Sequence, residues 1–459
     1  MSEDNKKGTL DFNDKYLGPI AFVPLLVFLA LYLGAGLIFT ALGVEEPFRK
    51  IPRETALLVA IMVSVFIGKD KLDTKFDLFC ESAGQPGVIL MILIFLLAGA
   101  FSGVTKATGG VESVVNLGLT LVPKKFLFAG LFIISAFIAT AMGTSMGTIA
   151  AIGPIAVGVA EAASLNVGVA IATVLGGAMF GDNLSIISDT TIAATRGVGA
   201  EMKDKFRMNG LIAGIAAIAT VILYSITGST GEISGEFAYN IIDIIPYVVV
   251  LVTAIAGMNV ITVLLLGTVL AALIGLFNGN ADIISLAQAA QSGMSGMYSV
   301  SIVSLLVRGL TGLASHYGGI DWLLNNITKN IKSRKGAEIG ISALVSALDF
   351  ALANNTIAII VSAPLALDIA KQYNIARKRV ASLLDIFSCI VQSIIPHGGQ
   401  VMLCMSLTGL SPAEIIPYAY YIYLLLAVTL ATILFGLMKT PEEKQGIDQY
   451  ADDIAVDLE

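Results

Sequence analysis

The 459-residue sequence is short of charge, cysteine and histidine, and each shortage excludes a class of protein. Charged residues make up 13% of the chain, about half of the roughly 25% that is usual in soluble domains. Because the formal net charge is -7, no basic surface for nucleic acid is expected. Three cysteines without CxxC spacing and two histidines predict neither a disulfide framework nor a multi-histidine metal site.

Several functional motifs are missing as well. There is no GxxxxGK[ST] sequence, which argues against an ATP-driven pump. The lack of a TVGYG-like filter and of an arginine ladder argues against a potassium or voltage-gated channel. The first 16 residues are polar, and no cleavable signal peptide is visible. We therefore predict no enzymatic activity and no cofactor.

Apolar residues dominate what is present. They make up 56% of the chain, and the mean hydropathy is +0.85, which is too apolar for a soluble protein of this size. The sequence therefore predicts an all-α integral membrane protein with the lipid bilayer as its partner. A helix needs about 20 apolar residues to cross a bilayer. Ten stretches are candidate crossings, namely 17–43, 54–68, 87–105, 165–182, 208–228, 238–256, 259–278, 296–315, 379–394 and 415–438.

Two further apolar regions, 125–161 and 337–371, are each interrupted by small polar residues. The interruptions are Gly143-Thr144-Ser145 and Asn354-Asn355-Thr356. We favour re-entrant hairpins whose polar tips meet inside the membrane, and two additional spans per region are the alternative. With ten crossings and two hairpins, most of the Lys and Arg residues fall on the side of the N-terminus. The positive-inside rule then predicts a cell (inner) membrane protein with both termini in the cytoplasm.

An internal duplication supports the hairpin interpretation. Gly103 matches Gly312 and Pro154 matches Pro364, at offsets of 209 and 210 residues, and the polar interruptions coincide as well. Each copy then holds five spans, so the second copy inserts upside down, as in secondary transporters with inverted repeats. The predicted organisation is a cytoplasmic tail 1–16, a first repeat 17–228 (hairpin 125–161, broken helix 165–195), a linker 229–237, a second repeat 238–438 (hairpin 337–371, broken helix 379–405) and an acidic cytoplasmic tail 439–459.

The segment 181–191 has the strongest polar signal of the first copy. An aspartate at the centre of a membrane helix costs about 2.5–3.5 kcal/mol, so it is not expected to face lipid. Oxygen-rich unwound segments suit small hard cations. The alternative is an ordinary cytoplasmic helix end. The candidate cation-binding and proton-coupling residues are Asp182, Asn183, Ser185, Ser188, Asp189 and Thr190.

The matching segment of the second copy, 388–400, contains a second break. Pro396 ends a helix, and two glycines follow and open the backbone. His397 lies where the first copy has Asp189, and it could carry protons or simply pack. Asp385 precedes Ser388 by about one helical turn and should face the same cavity.

The two polar tips complete the candidate site. Their hydroxyl and amide groups are suitable cation ligands, and the same residue types are ordinary helix N-caps. The tip residues are Thr144, Ser145 and Thr148 in the first copy, and Asn354, Asn355 and Thr356 in the second.

The runs MGTSMGTIAAIGPI and FGDNLSIISDTT resemble the NhaC family of Na⁺/H⁺ antiporters, whose patterns are close to GTSxGT and GDxLSPxSDTT. Ile187 departs from the usual arrangement around a proline, and the resemblance covers roughly 50–440. The NNT tip resembles the SNT tips of the wider ion-transporter superfamily. This resemblance implies scaffold and elevator-type transport domains. It implies Na⁺ sites at Thr144, Ser145, Asn183 and Ser185, and at Asn354, Asn355, Thr356 and Ser393.

The leading functional prediction is Na⁺/H⁺ antiport, with Asp182 and Asp189 as the carboxylates that bind sodium ions and protons. The alternative is Na⁺-coupled or H⁺-coupled transport of an amino acid or small carboxylate. The sequence SIIPHGGQ, where the family usually resembles SPLIPWN, motivates this alternative, together with an arginine inside a predicted span. Its candidate substrate-binding residues are Arg308, Gly398, Gly399 and Gln400.

A channel or membrane sensor is the non-transporter alternative. The sequence sets neither the solute nor the stoichiometry, and a homodimer is kept as an open option.

Overall fold

The computed structural model describes residues 16–44, 47–185, 188–228, 238–256, 258–328, 331–447 and 450. All secondary-structure elements in these residues are helical, as the composition predicts. The predicted linker 229–237 and most of both predicted tails lie outside the described residues.

The first half of the chain forms eleven α-helices. They are α1 Val23–Leu29, α2 Ala35–Ala41, α3 Arg53–Val65, α4 Leu72–Ala83, α5 Pro86–Ala107, α6 Gly110–Leu121, α7 Leu127–Met142, α8 Ser145–Ala162, α9 Val167–Leu184, α10 Asp189–Val198 and α11 Met202–Thr227. A 3-10 turn before α1 and a π turn after it make one continuous helical run of Gly18–Ala41.

The remainder forms twelve more. They are α12 Ile241–Ile255, α13 Val260–Phe277, α14 Ile283–Gly296, α15 Tyr298–His316, α16 Gly319–Thr328, α17 Arg334–Leu352, α18 Asn355–Gln372, α19 Arg377–Gln392, α20 Gly399–Thr408, α21 Pro412–Ile415, α22 Tyr420–Phe435 and α23 Pro441–Lys444.

Among the described residues, 7 helices are long and apolar enough to cross a membrane, or up to 9 if each of two bent pairs is one span. The chain is therefore a multi-pass membrane protein. Some predicted crossings form shorter helices, such as α3 with 13 residues and α12 with 15. A straight helix of that length reaches about 20–23 Å, less than the roughly 30 Å hydrocarbon core. The count of ten crossings therefore stays a prediction.

The helices break at the polar interruptions. Between α7 and α8, Gly143 has a left-handed backbone with φ 69°, and between α17 and α18, Ala353 has φ 50°. The two helices of each pair pack against each other. The membrane depth of the tips, and thus the choice between hairpins and spans, stays a prediction.

The broken-helix regions are also interrupted. The chain leaves α9 at Leu184 and re-enters a helix at Asp189, and it leaves α19 at Gln392 and re-enters at Gly399. Residues 186–187 of the first break lie outside the described residues.

The contacts divide the chain into two compact units. Unit 1 comprises 1–85 and 305–329, and its core includes Ala21, Leu313 and Tyr317. Unit 2 comprises 86–304 and 330–459, and every predicted site residue except Arg308 belongs to it. These units follow packing rather than the predicted repeat boundaries, so the inverted repeat stays a prediction.

Close helix packing in unit 2 fixes the end of α9, where the polar segment begins. A Cβ on Gly177 would lie 2.7 Å from the backbone oxygen of Phe132 in α7. A Cβ on Gly181 would overlap Ala139 of the same helix. Small residues therefore let α7 and α9 approach closely, as in other packed membrane helices.

Candidate functional site

Asp182 connects the first polar tip to the end of α9. Its Oδ1 accepts a hydrogen bond of 3.0 Å from the backbone nitrogen of Ser145, the first residue of α8. Both residues are buried. A helix N-terminus favours a carboxylate because its free N–H groups and its dipole face the charge. The Asp182 carboxylate therefore lies at the tip, where the resemblance implies a Na⁺ site.

Other tip residues act as helix caps. The hydroxyl of Thr144 accepts a 3.4 Å bond from the backbone nitrogen of Gly147. Thr148 donates a 3.0 Å bond to the backbone oxygen of Thr144. The capping role of Thr144 is the ordinary one for threonine, and the bond of Thr148 is the back-bonding that is common for helical threonine.

Hydroxyl groups beyond the break fold back over the end of α9. The backbone oxygen of Asp182 accepts bonds from Ser188, Thr190 and Thr191 at 3.2, 3.4 and 3.4 Å. Ser188 and Thr190 also contact each other at 2.7 Å. Together with buried Ser185, they line the break with neutral oxygen atoms. Such oxygens, with one carboxylate, are the ligands that a small hard cation prefers.

A buried ion pair closes the other side of the break. The Nζ atom of Lys205 in α11 lies 2.8 Å from Oδ2 of Asp385 in α19. It also donates bonds of 2.6 Å to Thr191 Oγ1 and 2.9 Å to the backbone oxygen of Asn183. Asn209 donates to the same Asp385 oxygen at 2.8 Å. Lys205 thus holds together three segments around the break.

Lys205, one of the charges that the loop count places on the side of the N-terminus, lies inside the protein. The structure buries it, as it buries Lys75 and Arg379, because each cation has oxygen partners inside the protein. The sequence signal was the spacing of Lys205 and Asn209, which share one face of α11 at i and i+4.

Three oxygen atoms beside this ion pair have no hydrogen-bond partner in the described part of the chain. They are Asn183 Oδ1, Asn209 Oδ1 and Asp385 Oδ1, and all three are buried. Buried oxygens of this kind call for a cation or a water molecule. No group of three or more His, Cys, Asp and Glu suited to a metal ion occurs among the described residues. The residues therefore fit Na⁺, with few carboxylates and many neutral oxygens, better than a transition metal.

Two glutamine side chains join the two tips. Gln392 Nε2 donates to Gln400 Oε1 at 2.8 Å, and Gln400 Nε2 donates to Ser145 Oγ at 3.1 Å. The same Nε2 atom of Gln392 also lies 3.5 Å from the backbone oxygen of Ala353, which precedes the second tip. Gln400, predicted as substrate-binding, therefore bonds to the first tip. Gln392 is a site residue that the sequence prediction missed.

The second tip is built from asparagines. Asn354 Oδ1 caps α18 by accepting from Ile357 N at 2.9 Å, and Asn355 Oδ1 accepts from Thr356 N at 2.9 Å. The Nδ2 atom of Asn355 is buried and has no partner in the described part.

The two predicted serines, Ser388 in α19 and Ser393 at its C-cap, bond to backbone oxygens of α19. Ser388 donates to the backbone oxygen of Asp385 at 3.0 Å, and Ser393 donates to that of Cys389 at 2.6 Å. Such back-bonding is common for helical serine.

The two residues that the duplication aligned, His397 and Asp189, have different surroundings in the structure. His397 is buried, and its Nε2 lies 3.0 Å from the backbone oxygen of Phe350 in α17. Asp189 is the first residue of α10, and its side chain is exposed. Asp189 therefore lies outside the buried cluster but close enough to Asp182 for the two carboxylates to interact electrostatically. Their joint role in exchange stays a prediction.

The residues proposed for an organic substrate have protein partners. In unit 1, Arg308 donates to Gln85 Oε1 from Nε at 3.2 Å and from Nη2 at 2.6 Å, while its Nη1 is buried without a partner in the described part of the chain. In unit 2, a Cβ on Gly398 would lie 2.9 Å from the Gln392 backbone oxygen, and one on Gly399 would lie 2.9 Å from Met91 Sδ. The glycines thus allow close packing rather than opening space.

Comparison with known proteins gives concordant matches. The chain is 24% identical over 425 residues to the Na⁺/H⁺ antiporter NhaC of Alkalihalophilus pseudofirmus, covering 85% of this chain and 91% of that protein. It is 25% identical over 395 residues to NhaC of Bacillus subtilis, covering 78% and 84%. The malate-2H⁺/Na⁺-lactate antiporter of Bacillus subtilis is 28% identical over 208 residues, covering 44% and 42%.

The pattern of the Na⁺/H⁺ antiporter family matches residues 5–229 and 234–439. This match spans both polar tips, both helix breaks and the buried Lys205–Asp385 pair. It agrees with the resemblance to NhaC proteins that the two sequence motifs indicate. The chain therefore belongs to the Na⁺/H⁺ antiporter family.

Proposed function

We propose that this protein exchanges Na⁺ for H⁺ across the cell membrane, with Asp182 as the carboxylate that binds the two ions in turn. One observation carries the assignment to Asp182. Its buried carboxylate lies where the N-terminus of α8 meets the broken end of α9, and it bonds to Ser145 N. The family match and the full-length NhaC relatives support the exchange itself.

The exchange follows from competition for one group. A carboxylate binds a proton covalently or Na⁺ electrostatically, so the arrival of one ion favours release of the other. Neutral oxygens of Thr144, Ser145, Asn183 and Ser185 complete the shell of Na⁺ in this proposal. Ser188 and Thr190 bond to the backbone oxygen of Asp182 and so keep their own hydroxyl groups at the end of α9.

Lys205 gives the two buried carboxylates, Asp385 and Asp182, different roles in this proposal. Its ammonium group already compensates Asp385 at 2.8 Å, and Asn209 adds a further bond. The described contacts of the Asp182 carboxylate are to Ser145, without a cationic side chain. Asp182 is therefore the carboxylate that takes its counter-charge from the transported ions, while Asp385 shapes the site.

The second tip forms the second Na⁺ site in this proposal, with Asn354, Asn355, Thr356 and Ser393 as ligands. Both α8 and α18 begin with a polar N-cap, Thr144 and Asn354, as two copies of one hairpin would. An inverted repeat with an elevator-type transport domain is part of the proposal. We place both termini in the cytoplasm on the loop charges.

Coupled transport of an organic solute is not favoured. Arg308 is bonded to Gln85, and both glycines are in close contact with neighbouring atoms. The relative named for malate and lactate aligns over 44% of this chain, whereas the NhaC relatives align over 85% and 78%. Neither an organic solute nor a homodimer is part of the proposal.

The test uses the full chain in proteoliposomes with an imposed proton gradient and a pH-sensitive dye. Pulses of Na⁺ should collapse the gradient in the unaltered protein. Asp182→Asn should abolish the response, because an amide cannot take up a proton in exchange for Na⁺. Asp243→Asn is the matched control, since Asp243 is a buried aspartate of α12 that bonds to Asn278. Normal exchange by Asp182→Asn would overturn the assignment.

A further inference from the structure

Asp349 is a buried carboxyl group that the proposed mechanism does not use. It lies in α17, is 0% exposed, and neither of its side-chain oxygens has a hydrogen-bond partner in the described part of the chain. The other buried carboxyls of unit 2 have donors. Asp385 has Lys205, and Glu338 has Arg379 at 2.7 Å.

A carboxylate in this position needs a counter-charge. Removing an ionised carboxylate from water is costly unless a cation or several hydrogen-bond donors replace the water. Within a membrane helix, an ionisable residue of this kind commonly belongs to an ion or proton pathway. No described side chain donates to Asp349, and the backbone of Gln392 offers it at most one donor, so an ionised Asp349 still needs a proton or a cation from solution.

Asp349 is placed beside the connection between the two tips. Its backbone oxygen accepts from the nitrogen of Ala353, so it begins the last turn of α17 before the second tip. The backbone of Gln392 lies near its carboxyl group. Oε1 of Gln392 is itself buried without a partner in the described residues.

The same glutamine leads to the first carboxylate. From Gln392 the contacts continue through Gln400 to Ser145, whose backbone nitrogen bonds to Asp182. Two carboxyl groups without a cationic partner among the described residues therefore lie near the two ends of one connected polar chain. Asp182 lies at the first tip and Asp349 near the second.

We propose that Asp349 is a second cation-binding carboxyl group of the transport cycle, which takes H⁺ or Na⁺ from solution. The proposal rests on the antiport function given above and adds a residue to it. It assigns the second tip a negative charge of its own, in addition to the neutral ligands Asn354 and Asn355.

The test counts ions on the purified full-length protein in weakly buffered detergent. Saturating Na⁺ is added, and both the protons released and the radioactive Na⁺ bound are measured per chain. Asp349→Asn should lower one of these counts by about one per chain relative to the unaltered protein. Asp349→Glu, which keeps a carboxyl group, should restore it, and Asp243→Asn should change neither count.

The ion that Asp349 binds, H⁺ or Na⁺, decides which count falls. If Asp349 exchanges H⁺, the proton count falls in Asp349→Asn, and if it binds Na⁺ alone, only the sodium count falls. If neither count falls, the proposal is overturned. Asp182→Asn is measured in parallel. An unchanged count there, with a fall in Asp349→Asn, would contradict the role of Asp182 and leave that of Asp349 standing.

A second measurement uses the unaltered protein, in case Asp349→Asn does not fold. A hydrophobic carbodiimide reacts with carboxyl groups in apolar surroundings, and mass spectrometry locates the adduct. Labelling of the peptide that contains Asp349 should decrease as Na⁺ is added, because the bound ion or the accompanying rearrangement shields the group. Labelling that ignores Na⁺, or no labelling at all, counts against the proposal.

Discussion

The ammonium group of Lys205 lies 2.8 Å from Oδ2 of Asp385, with both side chains buried. The pair joins α11 to α19, two helices that are far apart in the sequence. Through its bonds to Asn183 and Thr191, Lys205 also fixes both sides of the break after α9. A positive charge that belongs to the protein is therefore built into the oxygen-rich region proposed to bind Na⁺.

Replacing Lys205 with methionine should destabilise the protein by about 3–5 kcal/mol, because Asp385 would be left as an unpaired buried charge. Thermal unfolding in detergent without Na⁺ measures this. Lys203→Met is the matched control, since Lys203 is exposed two positions earlier, and it should change stability by less than about 0.5 kcal/mol.

The double variant Lys205→Met with Asp385→Leu separates lost charge from lost packing. It should recover much of the stability, because a pair of apolar side chains leaves no charge uncompensated. If the single Lys205→Met variant is as stable as the unaltered protein, the ion pair does not hold the break together.

The sequence predicted the features that depend on local composition. Apolar length located most of the described helices that are long enough to cross a membrane, and the polar runs at 143–145 and 354–356 coincide with the breaks between α7 and α8 and between α17 and α18. The amphipathic helices α4 and α16 were not predicted. They have too few consecutive apolar residues to stand out in a search for spans.

The missed site residues depend on partners that are distant in the sequence. Lys205 resembles a loop cation until Asp385 is known to face it, and Gln392 has no local signal for its bond to Gln400. Conversely, Asp189 follows the break as predicted, but the helical turn of α10 leaves it exposed. The sequence does not show how the backbone turns at a break. It therefore cannot predict which face of the following helix will be buried.

Gln400→Leu should weaken Na⁺ exchange by removing the bond to Ser145 and leaving Gln392 without its main acceptor. An unsatisfied buried polar group costs about 1–3 kcal/mol. If that cost falls on the Na⁺-bound state, the Na⁺ concentration for half-maximal exchange rises by about tenfold for each 1.4 kcal/mol.

Dequenching of the pH dye over a Na⁺ series measures the effect of Gln400→Leu. Gln291→Leu is the control, because Gln291 is exposed and bonds to Ser295 in its own helix. An unchanged Na⁺ dependence in Gln400→Leu would show that the connection between the tips is not used in binding.

Gly181→Ala should destabilise the protein by about 1–3 kcal/mol and reduce antiport, because the added methyl group forces α9 away from Ala139 and moves Asp182. Gly214→Ala is the control, since a Cβ there meets nothing within 4 Å, and it should be neutral or stabilising by up to about 1 kcal/mol. Equal unfolding temperatures for the two variants would contradict the close packing.

Thiol labelling tests the burial of the first tip. Cysteine is introduced in place of Ser145 or Ala162, in a background without Cys80, Cys389 and Cys404. Ser145 begins α8 and is 2% exposed, whereas Ala162 ends the same helix and is exposed. A bulky impermeant reagent should therefore modify Ala162→Cys rapidly and Ser145→Cys slowly.

Na⁺ should slow the Ser145→Cys reaction further if the ion orders the tip beside Asp182, and it should leave the Ala162→Cys reaction unchanged. The comparison within one helix removes differences in folding and reagent supply. Potassium at the same ionic strength controls for salt, which screens charged reagents without binding. Rapid labelling of Ser145→Cys that is independent of Na⁺ would place the tip at a membrane surface, and the proposed site at Asp182 would then be untenable.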